Sequence, residues 1–173
     1  MRLKGKKIAF FVAPLYEDLE LHYPLIRMQE EGADPVVIGP ERTKYEGKKG
    51  IPIEASRAIT EVSPDAFDGL VIPGGYAPDH MRRSSEMIEF VRWMHEAGRP
   101  IAAICHAGWM LASAGILEGR TVTGFFSIKD DLVHAGAAFV DREVVRDANL
   151  ITSRNPGDLP AFCRTIIEAV AGS

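Results

Sequence analysis

Pro100-Ile101-Ala102-Ala103-Ile104-Cys105-His106-Ala107-Gly108 is the stretch from which the rest of the chain can be read. Turn punctuation at Gly98-Arg99-Pro100 precedes a short apolar run, the pattern of a buried strand. Ala107-Gly108-Trp109-Met110-Leu111-Ala112 follows as a helix, with Gly115 as its stop. Cys105 therefore falls where a strand turns sharply into a helix. Such a turn holds one side chain clear of the sheet and leaves no room for bulk two residues to either side. Ala103 and Ala107 occupy those positions, giving the small–x–nucleophile–x–small pattern of a nucleophile elbow. The first free N–H groups and the dipole of the helix are expected to favour thiolate at Cys105.

Working outward, strands and helices alternate. Ile8 to Ala13 is a continuous β-prone run, as expected of a strand covered on both faces, and Pro14 ends it. Glu17-Asp18-Leu19-Glu20 opens a helix with acids in its first turn; Leu21, Leu25 and Met28 form its stripe and Gly32 its stop. Pro24 inside that pattern predicts a kink or a displaced start. Pro35 to Gly39 is the next strand, and residues 40 to 64 are polar and turn-rich, with Gly47-Lys48-Lys49-Gly50 as a hairpin or loop. Phe67 to Ile72 reads as a strand running into Pro73-Gly74-Gly75, and Ser84 to Glu96 as a helix closed by Gly98. Beyond the elbow helix come strands at 121–123, 139–145 and 150–152, a short helix from Ile128 to Ala135, and a last helix capped by Asp158 with Pro160 in its first turn. The alternation specifies an α/β doubly wound sheet, mostly parallel, as one domain over residues 1–173.

Composition narrows the function classes. The chain has 173 residues, a net charge of −4, 46% hydrophobic and 25% charged residues, with its basic residues scattered. That balance shows no nucleic-acid footprint and no membrane span. The N-terminal Met1 to Leu15 reads as the first strand rather than an export signal. Two cysteines without such a signal are expected in a reducing cytoplasm with no disulfide framework. No ligand spacing suggests a metal, and no Gly-x-Gly-x-x-Gly or P-loop suggests a nucleotide, so neither cofactor nor metal is expected.

In doubly wound sheets ligands bind beyond the carboxyl ends of the strands, at a switch in strand order. Residues 14–17, 74–79 and 105–106 all lie just past predicted strands, so they are expected to converge. Cys105 is the candidate nucleophile. His106 is either its base or a helix-capping group; adjacent residues point in different directions, so as a base it needs a partner to orient it. Glu17 is either a helix-start acid or a buried, protonated carboxyl that donates a hydrogen bond to the thiolate. Gly74 and Gly75 allow close approach of backbone N–H groups, which with the N–H of His106 would form an oxyanion hole. Asp79 either caps the next helix or orients an imidazole. Leu159, Cys163, Ile166 and Val170 share one helix face, which makes Cys163 a packing residue.

Taken together, several stretches resemble the PfpI family of intracellular cysteine proteases and deglycases. They are residues 16–21 (Tyr16-Glu17-Asp18-Leu19-Glu20-Leu21), 67–75 (Phe67 to Gly75), 103–106 (Ala103-Ile104-Cys105-His106), 128–131 (Ile128-Lys129-Asp130-Asp131) and 153–162 (Ser153 to Phe162). The resemblance implies a flavodoxin-like three-layer sandwich that forms homodimers or larger homo-oligomers. It implies Cys105 as nucleophile, Glu17 as the acid beside it, Gly75 and His106 as oxyanion donors, and Asp79 reaching His106 from a neighbouring subunit. Many relatives have Glu at the position of Asp79 and Gly-Pro where this chain has Ala107-Gly108. The implied chemistry is removal of glyoxal or methylglyoxal adducts, cofactor-free conversion of methylglyoxal, or peptide hydrolysis, on small carbonyl compounds or glycated and peptide substrates. A reading from another class is a non-catalytic, redox-sensing stress protein, since an accessible low-pKa thiol is also the one oxidised first.

Overall fold

A computed structural model describes all 173 residues. In chain order the elements are β1 (Lys7–Phe11), α1 (Asp18–Glu30), β2 (Asp34–Gly39), β3 (Lys44–Glu46), β4 (Pro52–Glu54) and β5 (Arg57–Ala58). They continue with β6 (Gly69–Ile72), α2 (Ala77–Met81), α3 (Ser85–Glu96), β7 (Ile101–Ile104) and α4 (Gly108–Ala114). The last are β8 (Thr121–Val122), α5 (Lys129–His134), β9 (Ala138–Phe139), β10 (Val144–Asp147), β11 (Leu150–Ser153) and α6 (Leu159–Ala171). Seven strands form one sheet in the order β10-β11-β7-β6-β1-β2-β5. Only the β10–β11 pair is antiparallel; the other pairings are parallel.

Helices cover both faces, α1 with α6 on one side and α2, α3 and α4 on the other. Strands β1, β6 and β7 are buried almost end to end, which is why they read as unbroken apolar runs. Gly69 shows how closely α6 lies against β6, because a Cβ there would sit 3.1 Å from Cγ2 of Val170. The strand order reverses between β1 and β6. The loops after these two strands meet there in an isolated bridge between Tyr16 and Gly75, and Cys105 follows the neighbouring strand β7.

Several expectations need correction. Helix α1 runs without interruption through Pro24, which is buried in it; the hydrogen bond lost there is offset by packing. Strand β8 pairs only with β9, in parallel, and stays outside the main sheet. The expected strand over 139–145 is two strands, β9 and β10, separated by residues 140–143. Asp158 precedes α6 but does not cap it with its side chain. Its carboxylate accepts instead from Nε and Nη2 of Arg154 (both 2.9 Å) and from the Arg154 N–H (3.1 Å). Helix α2 was not anticipated, being five residues long with Pro78 in it. No helix is long and apolar enough to cross a membrane.

Candidate active site

Cys105 has φ +62°, a left-handed conformation rare for a residue with a side chain. Strand β7 delivers the residue, a single 3-10 turn over Cys105–Ala107 follows, and α4 begins at Gly108. Ala103 and Ala107 are buried against this turn. Such strain costs about 1–3 kcal/mol and persists where the surrounding structure dictates it. Its effect is to leave Cys105, 8% exposed as a residue, lining a cleft of about 320 Å³.

His106 does reach the sulfur: its Nδ1 lies 3.1 Å from Sγ of Cys105. The tight turn brings the two neighbouring side chains round to one side. The ring stacks on Phe125 (centroids 4.9 Å apart, 28° between planes) and meets Trp109 at 5.1 Å and 70°. Its Nε2 is 3.3 Å from Oγ of Ser127. The loop carrying Phe125 and Ser127 is itself tied to the elbow, since the N–H of Phe125 donates to the Cys105 carbonyl at 3.1 Å. Burial, and after it the charge of Lys48, lowers the His106 pKa and favours the neutral ring. A neutral ring has one nitrogen free to accept, and the tautomer that leaves Nδ1 free for the thiol proton has its N–H on Nε2, toward Ser127.

The acid beside the thiol is Glu20, not Glu17. Glu20 is fully buried on α1. Its Oε2 accepts from the Gly74 N–H at 2.8 Å, while Oε1 is buried without a hydrogen-bond partner. Burial, as the largest cause, raises its pKa to about 8, so it holds a proton at neutral pH. Its carboxyl lies beside Cys105, since both residues border the space that a Cβ on Gly74 would fill. Glu17 lies further out, at the N-terminal end of α1, where its Oε2 pairs with Nζ of Lys48 at 3.2 Å.

Gly74 is likewise displaced from its expected role, because its N–H is already engaged by Glu20. Its lack of a side chain is required: a Cβ there would stand 2.6 Å from Oε2 of Glu20 and 2.7 Å from Cβ of Cys105. The N–H groups of Gly75 and His106 are the ones directed at the sulfur. Gly75 has φ +73°, and a Cβ on it would strike the Leu15 carbonyl at 2.4 Å.

Thiolate is not favoured overall as the helix start alone suggested. Burial pushes the Cys105 thiol up and an ionised Glu20 pushes the same way; the Gly75 and His106 N–H groups, then Lys48, pull it down. A protonated Glu20 removes the repulsion. Asp79 makes no hydrogen bond to His106 within the chain; it pairs with Arg83, four residues along, whose guanidinium holds its carboxyl below the usual range. Cys163 is buried in α6, where burial pushes its thiol up to about 12. No group of three or more His, Cys, Asp or Glu side chains is arranged to hold a metal ion.

Sequence reasoning missed Glu20, Lys48 and Ser127. Glu20 carries a readable signal: it is four and eight residues before Pro24 and Met28, on the buried side of α1. Ser127 and Lys48 are placed by loops whose course no local pattern reveals.

The fold and this geometry define a class: a doubly wound α/β protein with a cysteine on a strained elbow, a histidine on its sulfur and a buried carboxyl beside it. The chain belongs to the DJ-1/PfpI family, whose profile matches residues 6–169. It is 43% identical over 162 residues to Deglycase PfpI of Pyrococcus furiosus, covering 94% of this chain and 98% of that one. It is 40% identical over 167 residues to protein/nucleic acid deglycase 2 of Escherichia coli, covering 95% and 97%. The crystal structure of Drosophila melanogaster DJ-1beta superposes with a TM-score of 0.91 at 32% identity, covering 97% of this chain and 91% of that one.

Proposed function

We propose that the chain is a cysteine hydrolase of carbonyl adducts, a deglycase with glyoxalase-like chemistry. The observation that carries this reading is the strained elbow that holds Cys105 against His106 Nδ1 with the buried carboxyl of Glu20 beside it. Deglycase names among close relatives support it.

In an adduct R–CO–CH(OH)–X, with X an amine or thiol, a proton shift between the two carbons gives R–CH(OH)–CO–X. One carbon is oxidised and its neighbour reduced, so no external oxidant is needed. The Cys105 thiolate then bonds to the acyl carbon and the carbonyl π pair moves to oxygen, which the N–H groups of Gly75 and His106 hold. His106, having taken the thiol proton, returns it to X as the C–X bond breaks. Water cleaves the thioester, regenerating the thiol and releasing an α-hydroxycarboxylate. Glu20, by donating to sulfur, stabilises thiolate before the attack. Ser127 orients the imidazole as the third group of the relay.

A homo-oligomer in a reducing cytoplasm, with a role in stress protection, belongs to the same proposal. Leu19, Tyr23 and Ile26 stand 54%, 41% and 62% exposed at one helical spacing along α1, an apolar stripe suited to a second copy. Ser127 is exposed, and Asp79 of a neighbouring copy would act on its outer side. The deciding experiment is turnover of methylglyoxal, glycated cysteine and lysine, and fluorogenic peptides by wild type and Cys105→Ala. Turnover of glycated substrates lost in Cys105→Ala supports the reading; cleavage of peptides alone, or a single stoichiometric oxidation, refutes it.

A further inference from the structure

The loop over residues 47–51 supplies no group that bonds to substrate in the steps above, yet it is held in place with unusual thoroughness. The buried carboxylate of Asp18 accepts from the N–H of Lys49 (2.7 Å) and of Ile51 (2.9 Å). The N–H of Lys48 donates to the Tyr16 carbonyl (2.9 Å), and the Tyr16 hydroxyl donates to the carbonyl of Ile51. Gly47 packs so tightly on this anchor that a Cβ would stand 2.5 Å from the Asp18 carboxylate. These bonds fix the backbone on both sides of Lys48 and send its side chain into the cleft that contains Cys105.

Lys48 is the only lysine or arginine lining that cleft. Its side chain is 48% exposed, while that of Glu17, whose carboxylate it meets at 3.2 Å, is 12% exposed. An ion pair whose cation stays this exposed adds on the order of 1 kcal/mol to stability, too little to explain so rigid a mount. The cation also acts on the reacting groups, lowering the pKa of Cys105, Glu20 and His106 alike.

We propose that Lys48 is a specificity-determining residue that receives a carboxylate of the substrate or product beside Cys105, with Glu17 occupying that seat in the free protein. This rests on the reading of the site as a carbonyl-adduct hydrolase, whose products are α-hydroxycarboxylates. The exchange is one ion pair for another: the incoming carboxylate takes the ammonium and Glu17 turns to water. Adducts whose amine or thiol bearer also carries a free carboxylate, such as glycated free amino acids, are therefore preferred over neutral ones. Product carboxylates compete for the same place.

Alkylation of Cys105 tests this without reference to turnover, so its outcome is independent of whether the protein proves to be a deglycase. Iodoacetate carries a carboxylate and iodoacetamide does not, while both react with the same sulfur. In the full-length protein Lys48→Met is expected to lower the iodoacetate-to-iodoacetamide rate ratio about five-fold, the effect of one unit charge a few ångströms away in a water-like medium. Lys48→Arg keeps the ratio, Glu17→Gln raises it by freeing the ammonium, and Lys49→Met on the same loop leaves it unchanged. Lactate slows iodoacetamide labelling of wild type but not of Lys48→Met. An unchanged ratio in Lys48→Met, or an equal fall with both reagents, overturns the proposal, the latter because Lys48 would then tune only the thiol. Thermal unfolding of each variant confirms that a folded protein is compared.

Discussion

Glu20 carries a proton in the folded protein that the unfolded chain would release at neutral pH. Its folded-state pKa, near 8 against an ordinary 4.5, reflects burial first. The stability tied to that proton is complete below about pH 4.5 and is lost as pH rises through 8, at up to roughly 1.4 kcal/mol per pH unit. Urea unfolding at pH 5 and pH 8.5 is therefore expected to show Glu20→Gln gaining on wild type at the higher pH. The same variant should keep Cys105 more reactive toward iodoacetamide than Glu20→Ala does, because an amide can still donate to sulfur. Ser127→Ala removes one hydrogen bond from the imidazole, worth about 0.5–1.5 kcal/mol, so kcat should fall a few-fold with a shifted pH–rate profile. Ser127→Thr should recover both. Cys105, His106 and Gly75 were legible because each follows a strand and a turn with its own signature. The choice of Glu17 over Glu20 failed for a physical reason: proximity in sequence to the strand end says little, whereas the rotation of α1 buries Glu20 and leaves Glu17 at its rim.

At the level of elements, the loops after β1 and β6 work as one unit. The Tyr76 N–H donates to the Leu15 carbonyl (2.9 Å) and the Glu17 N–H to the Gly74 carbonyl (3.2 Å), while Leu15 and Gly75 both have positive φ. Gly75→Ala would combine an unfavourable φ of about 1–2 kcal/mol with a collision against the Leu15 carbonyl. Equilibrium denaturation should show a loss of at least about 2 kcal/mol, with activity lost as well. The parallel core strands and α3, with Ser84 as N-cap (Met87 N–H to Oγ, 3.2 Å), were visible in the sequence because buried runs and capping residues are local signals. The short pieces were legible in part: the run at 121–123 announced β8, whereas its parallel pairing with β9, outside the main sheet and across α5, has no local signal.

For the whole molecule, the exposed stripe on α1 predicts that the protein sediments as a homo-oligomer. Mixing Cys105→Ala with Asp79→Ala chains should then restore part of the activity, since some sites would hold both residues intact. A monomer with full activity would remove the in-trans role of Asp79. No residue pattern in one chain announces such a contact; only the apolar spacing at Leu19, Tyr23 and Ile26 hints at it. Cys163 gives the molecule one more property. It lies 1% exposed in α6 and lines no part of the cleft. A reagent can reach it only when α6 parts from its neighbours, so its labelling clocks the opening of the core while Cys105 titrates the cleft. Two thiols thus divide the readout of any variant: a change confined to the fast thiol is a matter of the site, and a change in the slow one is a matter of the fold.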